Sequence, residues 1–212
     1  MDNNFITDKE YIRGVIRKST LSHDHIDEGQ PSTDFFAPMD NVQVEFWQKF
    51  QANGGKILRC HNRQDRIKYL QMLAQDQQYN VVLNTHNNLC PDLEQSQINY
   101  INSVSLNMQI DAVVAMSVFL VARTGSIGFT QPFSRFVSMR NLALDVIVIS
   151  RMKDIVPDME TALARNFKYT QGAGMEFITP EPLVKENGKE VRTPQKPRYI
   201  LLLQDDPQPQ NT

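Results

Sequence analysis

The chain predicts an α/β fold built on a mostly parallel sheet, and three observations predict it. Short apolar runs alternate with segments whose apolar residues recur at helical spacing, the pattern of parallel strands joined by right-handed crossovers. Asp145 to Ser150, DVIVIS, and Arg198 to Leu203, RYILLL, are continuous apolar runs of strand length, as expected of strands buried on both faces. The chain has 212 residues, 41% of them hydrophobic, enough for the core of one domain.

The elements follow in order. Thr7 and Glu10 form a capping box before a helix over residues 8–20, with Tyr11, Ile12, Val15 and Ile16 on one face. The next stretch, with Gly29, Pro31 and Pro38, has no period and reads as an extended arm. Phe35 and Phe36 in it dock either on their own domain or on a second copy, so a homo-oligomer through the arm is one expectation. A helix begins at Asp40, with Val42, Phe46, Trp47 and Phe50 at helical spacing, and ends at Gly54-Gly55. Lys56 to Cys60 is a strand. Asn62 caps a second helix that turns Ile67, Leu70, Leu73 and Ala74 inward, and Tyr79 to Leu83 is the next strand. Pro91 suits the first turn of a helix.

Three short strands follow, Val113 to Ala115, Val118 to Ala122 and Ser126 to Thr130, around a tight bend at Arg123-Thr124-Gly125. After the strand at Asp145, Pro157 opens an amphipathic helix expected to turn Ile155, Met159, Leu163 and Phe167 inward. Asn187-Gly188 marks a hairpin, because both residues tolerate the positive φ of a type I′ turn. The expected organisation is a helix and arm over 1–40, one α/β domain over 41–204 and a solvated tail over 205–212.

Composition excludes several functions. The formal net charge is −2, which gives no global basic field for nucleic acid. No apolar run approaches the length of a membrane span, and MDNNFITDKE lacks the pattern of a secretory signal. Two cysteines, Cys60 and Cys90, are too few for an iron–sulfur cluster held by the chain's own thiolates, and two lone thiols without a leader read as reduced and cytoplasmic. Cys60, His61, His86 and Cys90 are zinc-ligand types, and Cys60 and His86 would stand near the ends of adjacent strands. Yet successive side chains of a strand point to opposite faces, so Cys60 reads as a core residue, His61 and His86 as loop residues, and no metal is expected.

The bend is the predicted ligand site, placed at the carboxyl-terminal rim of the parallel sheet, where such folds bind ligands. Thr124 and Ser126 hydroxyls with the Gly125 amide would hold a carboxylate or phosphate. Arg123 or Arg135 would supply charge through a planar fork, and Ser138 a further hydrogen bond. Glu176 and Glu181 near the glycine-rich segment are candidate acids by fold analogy alone. No dinucleotide fingerprint or phosphate-binding loop is present, so no cofactor is predicted.

The run VFLVARTGSIGFTQPFSRFVSMRNLALDVIVISRMKDIVPDMETAL resembles the lactate-utilisation protein C family, the LUD domain. The matching positions are Ala122, Thr124, Gly125, Arg135, Ser138, the strand at Val146 to Ile149, and Ile155-Val156-Pro157; the resemblance extends over roughly Val42 to Leu203. Two departures stand out: Arg123 replaces the family's acid before Thr-Gly, and the late Gly-Pro-Ser-Arg-Thr-like stretch is absent. The resemblance implies a three-layer, Rossmann-like α/β fold, shared with ribose-phosphate isomerases, glucosamine-phosphate deaminases and CoA transferases. It implies a non-redox subunit of lactate or organic-acid oxidation, beside iron–sulfur and oxidoreductase partners, with a small-anion pocket. Other readings are an enzyme acting on a phosphosugar or CoA ester, and a degenerate interaction module.

Overall fold

The apolar runs settle into two sheets rather than one. The computed structural model of the chain describes residues 39–103, 110–130, 143–170, 174–193 and 195–206. The expected N-terminal helix and arm, and the loop carrying Arg135 and Ser138, lie outside the described residues.

Helix α1 (Val42–Ala52) starts where the Asn41 side chain accepts from the amides of Gln43 and Val44 at 3.0 and 3.1 Å, a side-chain cap on otherwise unpaired donors. It stops at Asn53, and Gly54 at φ +83° turns the chain into β1 (Lys56–Cys60). Asn62 accepts from the Asp65 amide at 2.9 Å and opens α2 (Arg63–Gln77). Then come β2 (Val82–Asn84), the short helix α3 (Cys90–Gln95) with Pro91 in its first turn, β3 (Tyr100–Ile101) and β4 (Ala112–Met116). Strands β5 (Phe119–Val121) and β6 (Ser126–Thr130) precede β7 (Asp145–Arg151). The chain continues through β8 (Ile155–Val156), α4 (Met159–Thr170) and β9 (Met175–Ile178). A small hairpin, β10 (Lys185–Glu186) with β11 (Lys189–Glu190), turns on Asn187 at φ 50° and Gly188 at φ 78°. The last strand is β12 (Arg198–Gln204).

The six-stranded sheet runs β1-β12-β7-β4-β2-β3, and every neighbouring pair in it is parallel. Its alternating residues feed two cores. On one face Val114, Ile147, Ile149, Ile200 and Leu202 pack with Leu70 of α2 and Leu93 of α3. On the other, Val113, Ala115, Val146, Val148, Leu201 and Leu203 pack with Phe46 and Phe50 of α1 and with Leu120, Ile127 and Phe129. The result is a three-layer, Rossmann-like fold. The third layer contains a four-stranded sheet, β8-β5-β6-β9, in which β5 and β6 form an antiparallel hairpin.

Three expectations are corrected. Met159, Leu163 and Phe167 of α4 do not turn inward: they are 37%, 49% and 71% exposed, while Ala162 and Asn166 are buried. Helical spacing identifies an apolar face but not what covers it, and here the small Ala162 lets α4 sit close to β5 and β8. Pro157 lies one residue before the helix cap: Asp158 accepts from the Thr161 amide at 2.7 Å. Cys60 and His86 do not stand on adjacent strands, because β12, β7 and β4 separate β1 from β2. Cys60 is fully buried, and burial pushes its thiol up to about 11, the behaviour of an inert core cysteine. Among the described residues, no three His, Cys, Asp or Glu side chains are placed to hold a metal ion, and no helix is long and apolar enough to cross a membrane.

At the amino end of the sheet, Asp145 is completely buried at the first position of β7. Arg198 grips it with both prongs, Nε to Oδ1 at 3.0 Å and Nη2 to Oδ2 at 2.7 Å. Arg192 adds Nη1 at 2.9 Å from Oδ2, and the Tyr79 hydroxyl donates to the same oxygen. This network ties β7, β12 and the loop before β2 together.

Candidate functional site

The predicted bend folds as the tip of the β5–β6 hairpin, in the second sheet rather than at the carboxyl rim of the parallel one. The reason is local. Val121 pairs with Ser126, leaving a four-residue connection in which Gly125 takes φ +64°, a conformation that favours glycine. A Cβ on Gly125 would lie 2.7 Å from both the Lys49 carbonyl carbon and the Phe50 nitrogen. The tip is therefore pressed on the last turn of α1, beside the amino end of β1.

Among the described residues, the groups expected to meet an anion have partners within the protein. The Ser126 hydroxyl, fully buried, lies 2.7 Å from the Thr124 hydroxyl, to which it donates, and 2.7 Å from that of Thr179. The Thr124 carbonyl accepts from Asn53 Nδ2 at 2.9 Å, and the Gly125 amide donates to the Ala122 carbonyl at 3.3 Å. Arg123 donates its amide to the Pro157 carbonyl at 3.0 Å. Its side chain is close enough to Asp158 to help hold that carboxyl below the usual range, after the larger effect of the hydrogen bonds from Thr161. Thus Arg123, Thr124, Gly125 and Ser126 come together in one turn. Glu181 pairs with Lys196 at 3.2 Å on the surface, and Glu176 sits opposite Phe129 in the second sheet. Ser126→Ala is expected to lose about 1–2 kcal/mol of stability, the cost of unmade buried hydrogen bonds, measured by urea unfolding.

The carboxyl rim is assembled by residues at the ends of other strands. The connections leaving β2 and β4 run to opposite sides, toward β3 and toward β7, which makes the crevice between β2 and β4 the topological switch point. Open parallel sheets bind ligands at that crevice. The β2 end is polar. Asn84, almost wholly buried, donates from Nδ2 to Asn102 Oδ1 at 2.9 Å and accepts the His86 amide at 3.1 Å. Thr85 donates its hydroxyl proton to the Val114 carbonyl at 3.0 Å and lies 3.1 Å from His86 Nδ1. A hydroxyl has one proton, so Nδ1 carries the hydrogen in that contact and Nε2 is the acceptor. Burial lowers the His86 pKa, so the ring is neutral at pH 7.

Across the crevice, Ser117 directly follows β4, and β7 carries Ser150. They are 8% and 3% exposed, and neither hydroxyl has a hydrogen-bond partner among the described residues. Met116 stands opposite Ile149, and the Ser117 amide donates to the Ile149 carbonyl at 3.1 Å, so the ladder continues one step and sets Ser117 beside Ser150. Both follow Ala115 and Val148 by two residues and share their face of the sheet.

At the far end of the rim, Arg59 Nε and His61 Nδ1 each lie 2.8 Å from Asp205, and Arg63 and Arg66 converge on buried Asp92. The Arg59 hydrogen bond holds the Asp205 carboxyl below the usual carboxylate range, with His61 adding to it. A folded-state value below the unfolded one contributes stability above the unfolded pKa and loses it as pH falls through the folded one. Asp205→Asn should therefore be less stable than the native chain at pH 7, and the difference should vanish in acid, below the carboxylate range. Parallel chemical denaturation at the two pH values checks this.

Sequence reasoning missed Ser117 and Ser150, and a signal was available. The apolar runs AVVAM and DVIVI are each followed by a serine, and VVL is followed by three polar residues.

No known family's sequence profile matches the chain, and no curated protein matches it in sequence. Its structure is similar to the crystal structure of a DUF162 family protein from Deinococcus radiodurans, with 11% identity and a TM-score of 0.57, over 78% of this chain and 96% of that one. The likeness is one of fold.

Proposed function

We propose that this chain is a LUD-type protein that serves lactate or organic-acid oxidation as a cytoplasmic, non-redox subunit. The observation that carries the reading is the fold likeness to a DUF162 protein across nearly all of that protein's length; DUF162 is the LUD-domain family. The residues that resemble the family fall on defined elements: Thr124-Gly125 on the hairpin tip, Val146 to Ile149 in β7, and Ile155-Val156 as β8. In this role the chain works beside iron–sulfur and oxidoreductase subunits and binds a small anion.

The test is purification of the tagged full-length chain from its own host under gentle conditions, with mass spectrometry of what accompanies it. Iron–sulfur and oxidoreductase polypeptides encoded beside its gene are the expected companions. Their absence, together with turnover of a phosphosugar or CoA ester by the chain alone, would replace this reading with that of an independent enzyme.

A further inference from the structure

We propose that the Ser117 and Ser150 hydroxyls form a two-donor seat for the carboxylate of a small organic acid at the carboxyl rim of the sheet. The two side chains project from the same face of neighbouring strands, which lie about 4.8 Å apart. Each hydroxyl can donate one hydrogen bond, and a carboxylate accepts through two oxygens. Their neighbours on that face are Ala115, Val148, Thr85 and Leu203. None of these four is acidic, and the apolar surroundings strengthen each hydrogen bond made.

A buried hydroxyl without a partner costs folding stability, and alanine would fill either position without that cost. Two such hydroxyls, side by side at the carboxyl end of a parallel sheet and bordering its switch point, are accounted for by a guest that pairs with both. The hairpin tip differs in this respect: its hydroxyls are already bonded to each other and to Thr179.

The inference rests on the organic-acid reading only for its choice of probes. L-lactate, pyruvate and inorganic phosphate are titrated calorimetrically into the full chain and into Ser117→Ala, Ser150→Ala and Thr124→Ala. Lactate or pyruvate is expected to bind the native chain, to lose about 10- to 100-fold in affinity in either serine variant, as removal of a hydrogen bond to a charged acceptor implies, and to bind Thr124→Ala unchanged. Without ligand, Ser150→Ala should melt no lower than the native chain, and up to about 2–4 °C higher. Three outcomes overturn the proposal: no binding of either acid, equal affinity in the serine variants, or preference for phosphate over both acids. A lower melting temperature in both serine variants with no change in binding assigns the hydroxyls to a buried structural water and also overturns it. If the acids bind as described but no iron–sulfur partner accompanies the chain, the seat stands and the oxidation role falls. If partners accompany the chain and no acid binds, the reverse holds.

Discussion

Asp145→Ala is expected to destabilise the protein by about 3–5 kcal/mol, because removing one member of a buried charge network leaves its partners uncompensated. Asp145 is wholly buried, and its two oxygens take Arg198, Arg192 and Tyr79. Arg198 is only 10% exposed at its side chain, so its guanidinium would be stranded in the amino end of the sheet. The loss is structural: β7 and β12 are neighbouring interior strands that meet at Asp145 and Arg198. Urea unfolding measures it directly. A loss below about 1 kcal/mol, the range of exposed ion pairs, would mean that solvent reaches the network.

Phe50→Ala should cost a similar amount, about 3–5 kcal/mol, through lost burial and the cavity left behind. Phe50 is fully buried and stacks on Phe46 with ring centroids 5.4 Å apart. A Cβ on Gly55 would lie 2.2 Å from the Phe50 ring, so that glycine exists to let the ring lie flat across the turn into β1. The Phe50 amide nitrogen also abuts Gly125 at the hairpin tip. The ring also shares one core cluster with Leu120, Ile127 and Phe129 of the second sheet, so its removal should loosen the hairpin as well as the core. Hydrogen exchange at Ser126 and Ile127 is expected to accelerate in the variant alongside the drop in melting temperature.

Much of the scaffold was legible because its signals are local. Asn62 caps a helix, Asn187-Gly188 turns a hairpin, and AVVAM, DVIVIS and RYILLL are strands, each decided by a few adjacent residues. The order of the strands was not legible. Placing β12 between β1 and β7 depends on pairings across more than 130 residues of chain, as between Arg59 and Leu203, which no local pattern encodes. The ligand bend was misplaced for a different, local reason. Thr-Gly-Ser has the composition of an anion-binding turn and also of a plain hairpin, and only the antiparallel pairing of Phe119 with Gly128 tells them apart. Met159, Leu163 and Phe167 show the complementary failure: a correct helical period, pointing a face that the described residues leave exposed. The polar ends of the buried strands were in plain view, but a serine closing an apolar run carries no meaning until the strands lie side by side.

The account turns on where a small acid settles. A crystal structure of the full chain grown with L-lactate decides it. Ligand density between Ser117 and Ser150, with the Thr124–Ser126–Thr179 hydroxyl bonds intact, is the predicted result. Density seated instead on the Gly125 amide and the Arg123 guanidinium, with the two rim serines unoccupied, would contradict it.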